Sequence, residues 1–421
     1  MALPLPTLAA EGEKSLDDFL SKEVGSREIP ALFIGATNAK EEIYFSVDGE
    51  VTFGEHDKGK VTEDTTLSIF SMTKFITTIA CLQLVDQGLI DLEDYDLVER
   101  FCPEIGELQI LEGYTEDGKE ILRSPKSKIN LMMLLSHVSG MAYGFNSPDI
   151  VRWNKEHGTP GMVSADASVE SFRQPLIFEP GTKWNYSIGL DWAGILISRL
   201  TGKSLEALYK EKIFQPCGMK STSFYPTDDI KARMMTCCTR DASGKIIPMS
   251  TPAMGREMDA SKIPSILAGG AGLFGTARDY LSLLRNVLAS ASADPQNSNS
   301  LISPESFKLL FTDVIPQTPQ VKACLAIMAK NQNVHDPVLV ADGKGNRIGH
   351  SPGLFLNFDE SVYGRKAFSG CWDGAAKTMF WIDPATGIGA VCCTNLLSQN
   401  PDPFNGVFNR FERTLYDALK V

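Results

Sequence analysis

Apolar residues recur at three- and four-residue steps from Phe75 through Ile76, Ile79 and Leu82 to Val85, the period of a helix with one buried side. Gly88, just beyond the last of them, is placed to cap the C-terminus. The same periodicity predicts helices over residues 15–24, 190–200, 205–214, 277–288 and 404–419, and a helical stretch opening at 129–135. Runs rich in β-branched and aromatic residues predict strands over 31–36, 42–47, 51–54, 367–369, 378–382 and 389–394. Asp48-Gly49 reads as a hairpin turn, as does Asp383-Pro384 with Gly387. Residues 88–113 read as loop, and 291–300, small and polar, as a surface loop. Strands therefore cluster at both ends of the chain and helices in the middle. The economical arrangement is a sheet lobe built from residues 1–75 and 255–421, a helical lobe from 76–254, and a cleft between them.

Ser71-Met72-Thr73-Lys74 opens the first of these helices and is the one S-x-x-K in the chain. A spacing of three puts both side chains on one helix face. A serine hydroxyl becomes a useful nucleophile when a neighbouring base takes its proton, and free N–H groups in the first turn favour developing negative charge. The alternative is a chance string with a solvated lysine, so the chemistry needs partners elsewhere. Aromatic residues Tyr143, Phe145, Trp153 and Phe172 fall among glycines and prolines in 141–180, the composition of a pocket rim or lid.

Composition narrows the class. With 421 residues, 43% hydrophobic and 22% charged, the chain reads as a soluble globular protein, large enough for one big core or two to three domains. A net charge of −12 argues against nucleic acid or an anionic membrane surface as partner. The nine cysteines form no C-x-x-C, and two pairs are adjacent in sequence, Cys237-Cys238 and Cys392-Cys393. That pattern suits buried free thiols in a reducing compartment better than disulfides or a zinc site. The N-terminal ten residues lack a basic start and are broken by Pro4 and Pro6, a poor signal peptide, so a cytoplasmic protein is expected. No metal or organic cofactor is implied.

Gly349-His350-Ser351-Pro352-Gly353 competes for the role of nucleophile, because it matches the G-x-S-x-G elbow of α/β-hydrolases. The elbow needs a buried strand before it, whereas Gly343, Lys344, Gly345, Asn346 and Arg347 read as a polar turn. That fold also places its histidine after the serine, and all five histidines (His56, His137, His157, His335, His350) precede Ser351. A glycine-rich loop is the better reading. His137 reads as a buried, hydrogen-bonded residue at a helix end; a serine–lysine mechanism needs no histidine.

Several strings together resemble the serine β-lactamase and penicillin-binding-protein superfamily: Ser71-Met72-Thr73-Lys74, Leu134-Leu135-Ser136-His137-Val138-Ser139-Gly140, Glu179-Pro180-Gly181, Tyr186-Ser187-Ile188, Asp191-Trp192-Ala193-Gly194, and Gly269-Gly270-Ala271-Gly272-Leu273. More narrowly the chain resembles its class C-like esterase and acyltransferase branch, including fungal statin acyltransferases and esterases. The resemblance implies a class C β-lactamase-like α/β (α+β) fold, with an antiparallel sheet flanked by helices. It also implies Ser71 as nucleophile, Lys74 as its hydrogen-bonded partner, and Tyr186 as base toward Ser71 and acid toward the leaving group. Since Tyr and Lys both titrate near 10 unperturbed, that role asks for a phenolate sustained by Lys74.

Two departures matter. Tyr186-Ser187-Ile188 stands where β-lactamases have Tyr-Ala-Asn, and Trp372-Asp373-Gly374 where they have Lys-Thr-Gly. Losing that lysine removes a cation for a substrate carboxylate and substitutes an aromatic surface, which disfavours β-lactams. By analogy the oxyanion hole uses the backbone N–H of Ser71 and of Ala375, with Gly374 next. Trp372, Tyr143, Phe145, Trp153 and Gly270 are the expected substrate-binding residues. The expected partners are a small-molecule ester or thioester donor, carrier-bound or free, and an alcohol or water as acceptor. The rival from another class is a catalytically idle scaffold or binding protein.

Overall fold

The computed structural model describes residues 3–164, 166–225, 227–250, 264–292, 299–332 (backbone alone for 327–332), 347–399 and 402–420. The expected lobe boundary at 254/255, His335, residues 343–346 and most of the loop 291–300 lie outside them. The elements that build the site are, in chain order, α1 (Gly12–Gly25), β1 (Ala31–Thr37), β2 (Glu42–Gly49), β3 (Thr66–Ser68), α2 (Thr73–Asp86), α3 (Leu131–Leu135) and α4 (Pro148–His157). They continue with α5 (Gly189–Thr201), β4 (Phe274–Thr276), α6 (Ala277–Ala289), β5 (Ile348–His350), β6 (Phe355–Asn357), β7 (Ser369–Gly374), β8 (Thr378–Asp383), β9 (Ile388–Cys393) and α7 (Phe404–Ala418).

A seven-stranded antiparallel sheet runs in the order β5-β6-β7-β8-β9-β1-β2, so both ends of the chain meet where β9 pairs with β1. Alternation along β8 shows how the two faces are covered. Phe380 packs on Phe75 of α2 and Tyr280 of α6, at ring-centroid separations of 5.1 and 5.0 Å. Trp381, the next residue, packs on Phe408 and Phe411 of α7. With both faces buried, β8 reads as an unbroken apolar run between Thr378 and Asp383.

Four expectations are corrected. Residues 51–54 are turn and bend rather than strand, and Asp48-Gly49 is no hairpin turn, since β2 runs through Gly49, which pairs with Ala31. The hairpin lies at 38–41 instead, where Asn38 Oδ1 accepts the backbone N–H groups of Lys40 and Glu41. Residues 88–113 contain two short helices, Tyr95–Phe101 and Pro103–Gly106, the first capped by the Asp94 side chain. α2 is buried on all sides, not one: every residue from Thr73 to Leu82 is inside. Thr73 and Thr77 are satisfied there: Thr73 Oγ1 accepts the Leu273 N–H, and Thr77 Oγ1 lies 2.5 Å from the Gly269 carbonyl and 2.7 Å from the Tyr209 hydroxyl. Gly269 has to be glycine, because a Cβ would sit 2.6 Å from the Leu190 carbonyl.

All nine cysteines are free thiols, eight of them buried, and burial pushes Cys81 and Cys371 up to about 12. Among the described residues no helix is long and apolar enough to cross a membrane.

Candidate active site

Strand β3 delivers the chain to Ser71 through a tight corner. Ile69 N–H donates to the Leu273 carbonyl (3.1 Å), Phe70 takes a left-handed conformation (φ 44°), and a 3₁₀ turn Phe70–Met72 runs straight into α2. A non-glycine residue there costs on the order of 1–2 kcal/mol, strain held beside the half-buried Ser71 hydroxyl. Lys74, one turn on, is 1% exposed. Its Nζ lies 3.2 Å from Ser71 Oγ, 2.9 Å from the Tyr143 hydroxyl and 2.6 Å from the Gly270 carbonyl. The Tyr186 hydroxyl donates to Ser71 Oγ at 2.6 Å, and Lys74 Nζ sits 4.7 Å from the centre of the Tyr186 ring.

Tyr186 is held by its neighbours on both sides. Asn146 Nδ2 donates to its carbonyl (2.8 Å), and the Asn185 N–H donates to the carbonyl of His137 (3.0 Å). His137, buried and left-handed (φ 63°), accepts the Ser187 N–H at Nδ1. Its ring lies parallel to Trp372 (18°, centroids 5.8 Å apart) and edge-on to Tyr186 and His350. Trp372 in turn lies 5.5 Å from the Tyr186 ring.

The electrostatics differ from those expected. Burial lowers Lys74 to about 7, with Asp191 and Asp373 opposing the shift. Burial raises the Tyr186 phenol above its usual value, against the hydrogen bond it shares with Ser71. The resting site thus holds a neutral phenol beside an amine poised near neutrality, rather than a standing phenolate. Asp373, half-buried at the end of β7, is itself pushed up to about 7 by burial, with Lys377 and Lys74 pulling the other way.

The other expected residues divide. Phe145 is 71% exposed and stacks on Tyr143 (12°, 5.1 Å), with the Tyr186 ring 6.0 Å away. Tyr143 is no apolar wall: its buried hydroxyl donates to Asp191 Oδ2 (2.8 Å) while receiving Lys74. Gly270 lies behind Lys74, where a Cβ would come within 2.5 Å of Asp191 Oδ2 and 2.7 Å of the Tyr143 hydroxyl. Trp153 is elsewhere. Its ring stacks on His157 of α4 and faces a cavity of about 570 Å³ that also meets Leu108, Arg173 and Gln174 but none of Ser71, Lys74 or Tyr186.

Gly374 packs against the nucleophile turn, since a Cβ would lie 2.4 Å from the Ile69 carbonyl and 2.3 Å from Thr378 Oγ1. Ala375 follows it, exposed, in the three-residue turn to β8. Ser351 leaves the short edge strand β5, fully buried; its hydroxyl meets the Leu354 carbonyl at 3.4 Å, and among the described residues no basic side chain is hydrogen-bonded to it, the His350 Nδ1 lying on the Ser351 carbonyl instead. Among the described residues no cluster of ligating side chains could hold a metal ion.

His137 and His350 carry a stability prediction. Burial pushes His137 well below the usual histidine range and His350 down to about 3, so both are neutral when folded. The unfolded chain binds their protons near pH 6.5. Their contribution is therefore intact above that pH and lost as pH falls toward the folded values, at up to about 1.4 kcal/mol per unit for each ring. Urea midpoints should fall from pH 6.5 to 4.5, and the slope should be shallower in His350→Asn; equal slopes would contradict the assignment.

With this geometry in view, the comparisons are specific. The beta-lactamase family model matches residues 16–413, and the chain belongs to that family. Within it, the chain is 30% identical over 385 residues to a lovastatin esterase of Penicillium rubens, covering 89% of this chain and 92% of that one. It is 26% identical to the monacolin J acid methylbutanoyltransferase of Aspergillus terreus, across 97% and 96% of the two chains. A simvastatin synthase mutant from Aspergillus terreus superposes with a TM-score of 0.82 at 26% identity, covering 97% of this chain and 95% of that one. The fold is thus a β-lactamase fold of the kind seen in that synthase, and relatives over nearly the whole length include both an esterase and an acyltransferase.

Proposed function

We propose that this protein opens an ester or thioester of an apolar, polyketide-like small molecule through a Ser71 acyl-enzyme, passing the acyl group to an alcohol or to water. The observation that carries this reading is the set of three contacts around Lys74. A neutral amine has two N–H bonds and one lone pair. With the N–H bonds spent on Gly270 and Tyr143, the lone pair is left for the Ser71 hydroxyl.

The proton sequence follows. Ser71 Oγ attacks the acyl carbon as its proton moves to Lys74. The tetrahedral intermediate collapses as Tyr186, freed from Oγ, protonates the departing oxygen or sulfur. The phenolate so formed keeps the Lys74 ammonium 4.7 Å from its ring centre, and that charge favours it while the acyl-enzyme lasts. The acceptor, alcohol or water, then gives its proton to Tyr186 and attacks, and Lys74 returns its proton to Ser71. The backbone N–H groups of Ser71 and Ala375 are the proposed oxyanion donors, each worth about 2.7–4 kcal/mol where such donors have been removed elsewhere.

Phe145, exposed and stacked on Tyr143 with the Tyr186 ring 6.0 Å away, supplies an apolar surface beside the nucleophile for the acyl chain. The names of the two relatives, an esterase and a methylbutanoyltransferase of statin-type molecules, support a substrate of that class. The test is a series of p-nitrophenyl esters from acetate to hexanoate, with and without a primary alcohol. Each methylene should raise kcat/KM by up to about fourfold, and Phe145→Ala should flatten the series. The alcohol should divert acyl groups into a new ester. A flat series in both proteins would remove the apolar acyl site.

A further inference from the structure

Asp191 lies on α5, 1% exposed, in an otherwise apolar stretch, and neither Ser71 nor Tyr186 touches it. Its carboxylate nevertheless grips both groups that hold Lys74. Oδ2 accepts from the Tyr143 hydroxyl at 2.8 Å and Oδ1 from the Gly270 N–H at 2.8 Å. Those same two residues receive Lys74 Nζ through the Tyr143 oxygen and the Gly270 carbonyl. The frame closes on itself, and the close approach it needs is possible because residue 270 lacks a Cβ.

Both carboxylate oxygens face donors, an arrangement that suits the ionised form; a protonated acid would need an acceptor in place of one of them. Burial raises Asp191 above the usual carboxylate value, and the Lys74 charge with the Gly270 and Tyr143 hydrogen bonds opposes that rise. A charge this close to a buried amine does two things. It fixes where the amine sits, and it favours the moment at which that amine takes a proton.

We propose that Asp191 is a positioning residue for acyl transfer: its ionised carboxylate, acting through Tyr143 and Gly270, holds Lys74 against Ser71 and balances the ammonium formed when Lys74 takes the serine proton. This rests on the Ser71 acyl-enzyme reading above. The lysine base is therefore set by a carboxylate it does not touch, on a different element.

The test is the pH dependence of the p-nitrophenol burst with p-nitrophenyl butyrate. In the wild type the burst rate should rise with pH through a midpoint near 7, as Lys74 loses its proton against the pull of two carboxylates, Asp191 of α5 and Asp373 of β7. Asp191→Asn removes the charge that favours the ammonium. Its midpoint should move down by about one unit or more, and its plateau rate should fall at least tenfold with KM within about threefold of wild type. A merely structural role would lower yield or thermal midpoint without moving the pH midpoint. Should Asp191→Asn not fold, Tyr143→Phe removes one strut alone and should move the midpoint in the same direction by less. Midpoints within 0.2 unit of wild type in every folded variant would overturn the proposal. Ser71→Ala run alongside separates the failures: burst retained there sinks the acyl-enzyme reading, whereas burst lost there with unmoved midpoints sinks the role of Asp191 alone.

Discussion

Lys74→Met should slow acylation about 10³–10⁴-fold, the upper part of what a positioned base contributes. The side chain keeps its length but loses the lone pair directed at Ser71, and no other described group is hydrogen-bonded to Ser71 Oγ except the Tyr186 hydroxyl, which burial keeps protonated. The rise of the burst rate through pH 7 should vanish with it, because Lys74 is the group that titrates there in the mechanism. The substitution also leaves the Asp191 carboxylate buried without its cation, so thermal stability should drop as well. The measurement is therefore burst rate per mole of folded protein. A rate within tenfold of wild type, with the pH dependence intact, would remove Lys74 as the base.

Tyr186→Phe should lose activity in proportion to how badly the leaving group needs a proton. p-Nitrophenolate departs unassisted, so acylation by its esters should fall about tenfold. An alkyl ester of the same acid should fall about 10³-fold, within the range of general acid catalysis. Acyl transfer to an alcohol also needs Tyr186 to accept the incoming proton, so the variant should accumulate acyl-enzyme. Equal losses for aryl and alkyl esters would assign Tyr186 to packing beside Trp372 rather than to proton transfer.

How far the sequence spoke depended on how local each signal was. The helix after Ser71 and the closing helix are carried by periodicity along their length, and β8 and β9 by short apolar runs; all four stand where the pattern puts them. Asp48-Gly49 reads as a turn only when the dipeptide is taken without its cross-strand partner: the Gly49 backbone lies so close to Ala31 that a Cβ would be 2.4 Å from the Ala31 Cα, which explains the glycine without any turn. α2 looked one-sided because threonines counted as polar, yet Thr73, Thr77 and Thr78 are all buried. Two of them make hydrogen bonds with the glycine segment 269–273, some 190 residues away.

The site divides in the same way. Ser71 and Lys74 are readable because one helix turn brings them together. Tyr186 entered through resemblance, since nothing in its own neighbourhood separates it from Trp184 as a core aromatic. Tyr143 and Gly270 were assigned to the substrate side, but long-range hydrogen bonds place them behind Lys74. Trp153 was grouped with them by composition, and helix α4 turns its ring onto His157 instead. Asp191 enters the sequence reading only within the string Asp191-Trp192-Ala193-Gly194, with no role of its own, yet it carries a signal: a lone carboxylate between Leu190 and Trp192 in an apolar helix has to be paired with something.

The most direct test of the central claim is the intact mass of the protein after brief mixing with p-nitrophenyl butyrate, followed by peptide mapping. A butyryl adduct on the peptide carrying Ser71, absent in Ser71→Ala together with turnover, is the predicted result. Turnover that persists undiminished in Ser71→Ala, or an adduct that maps to Ser351, would contradict it.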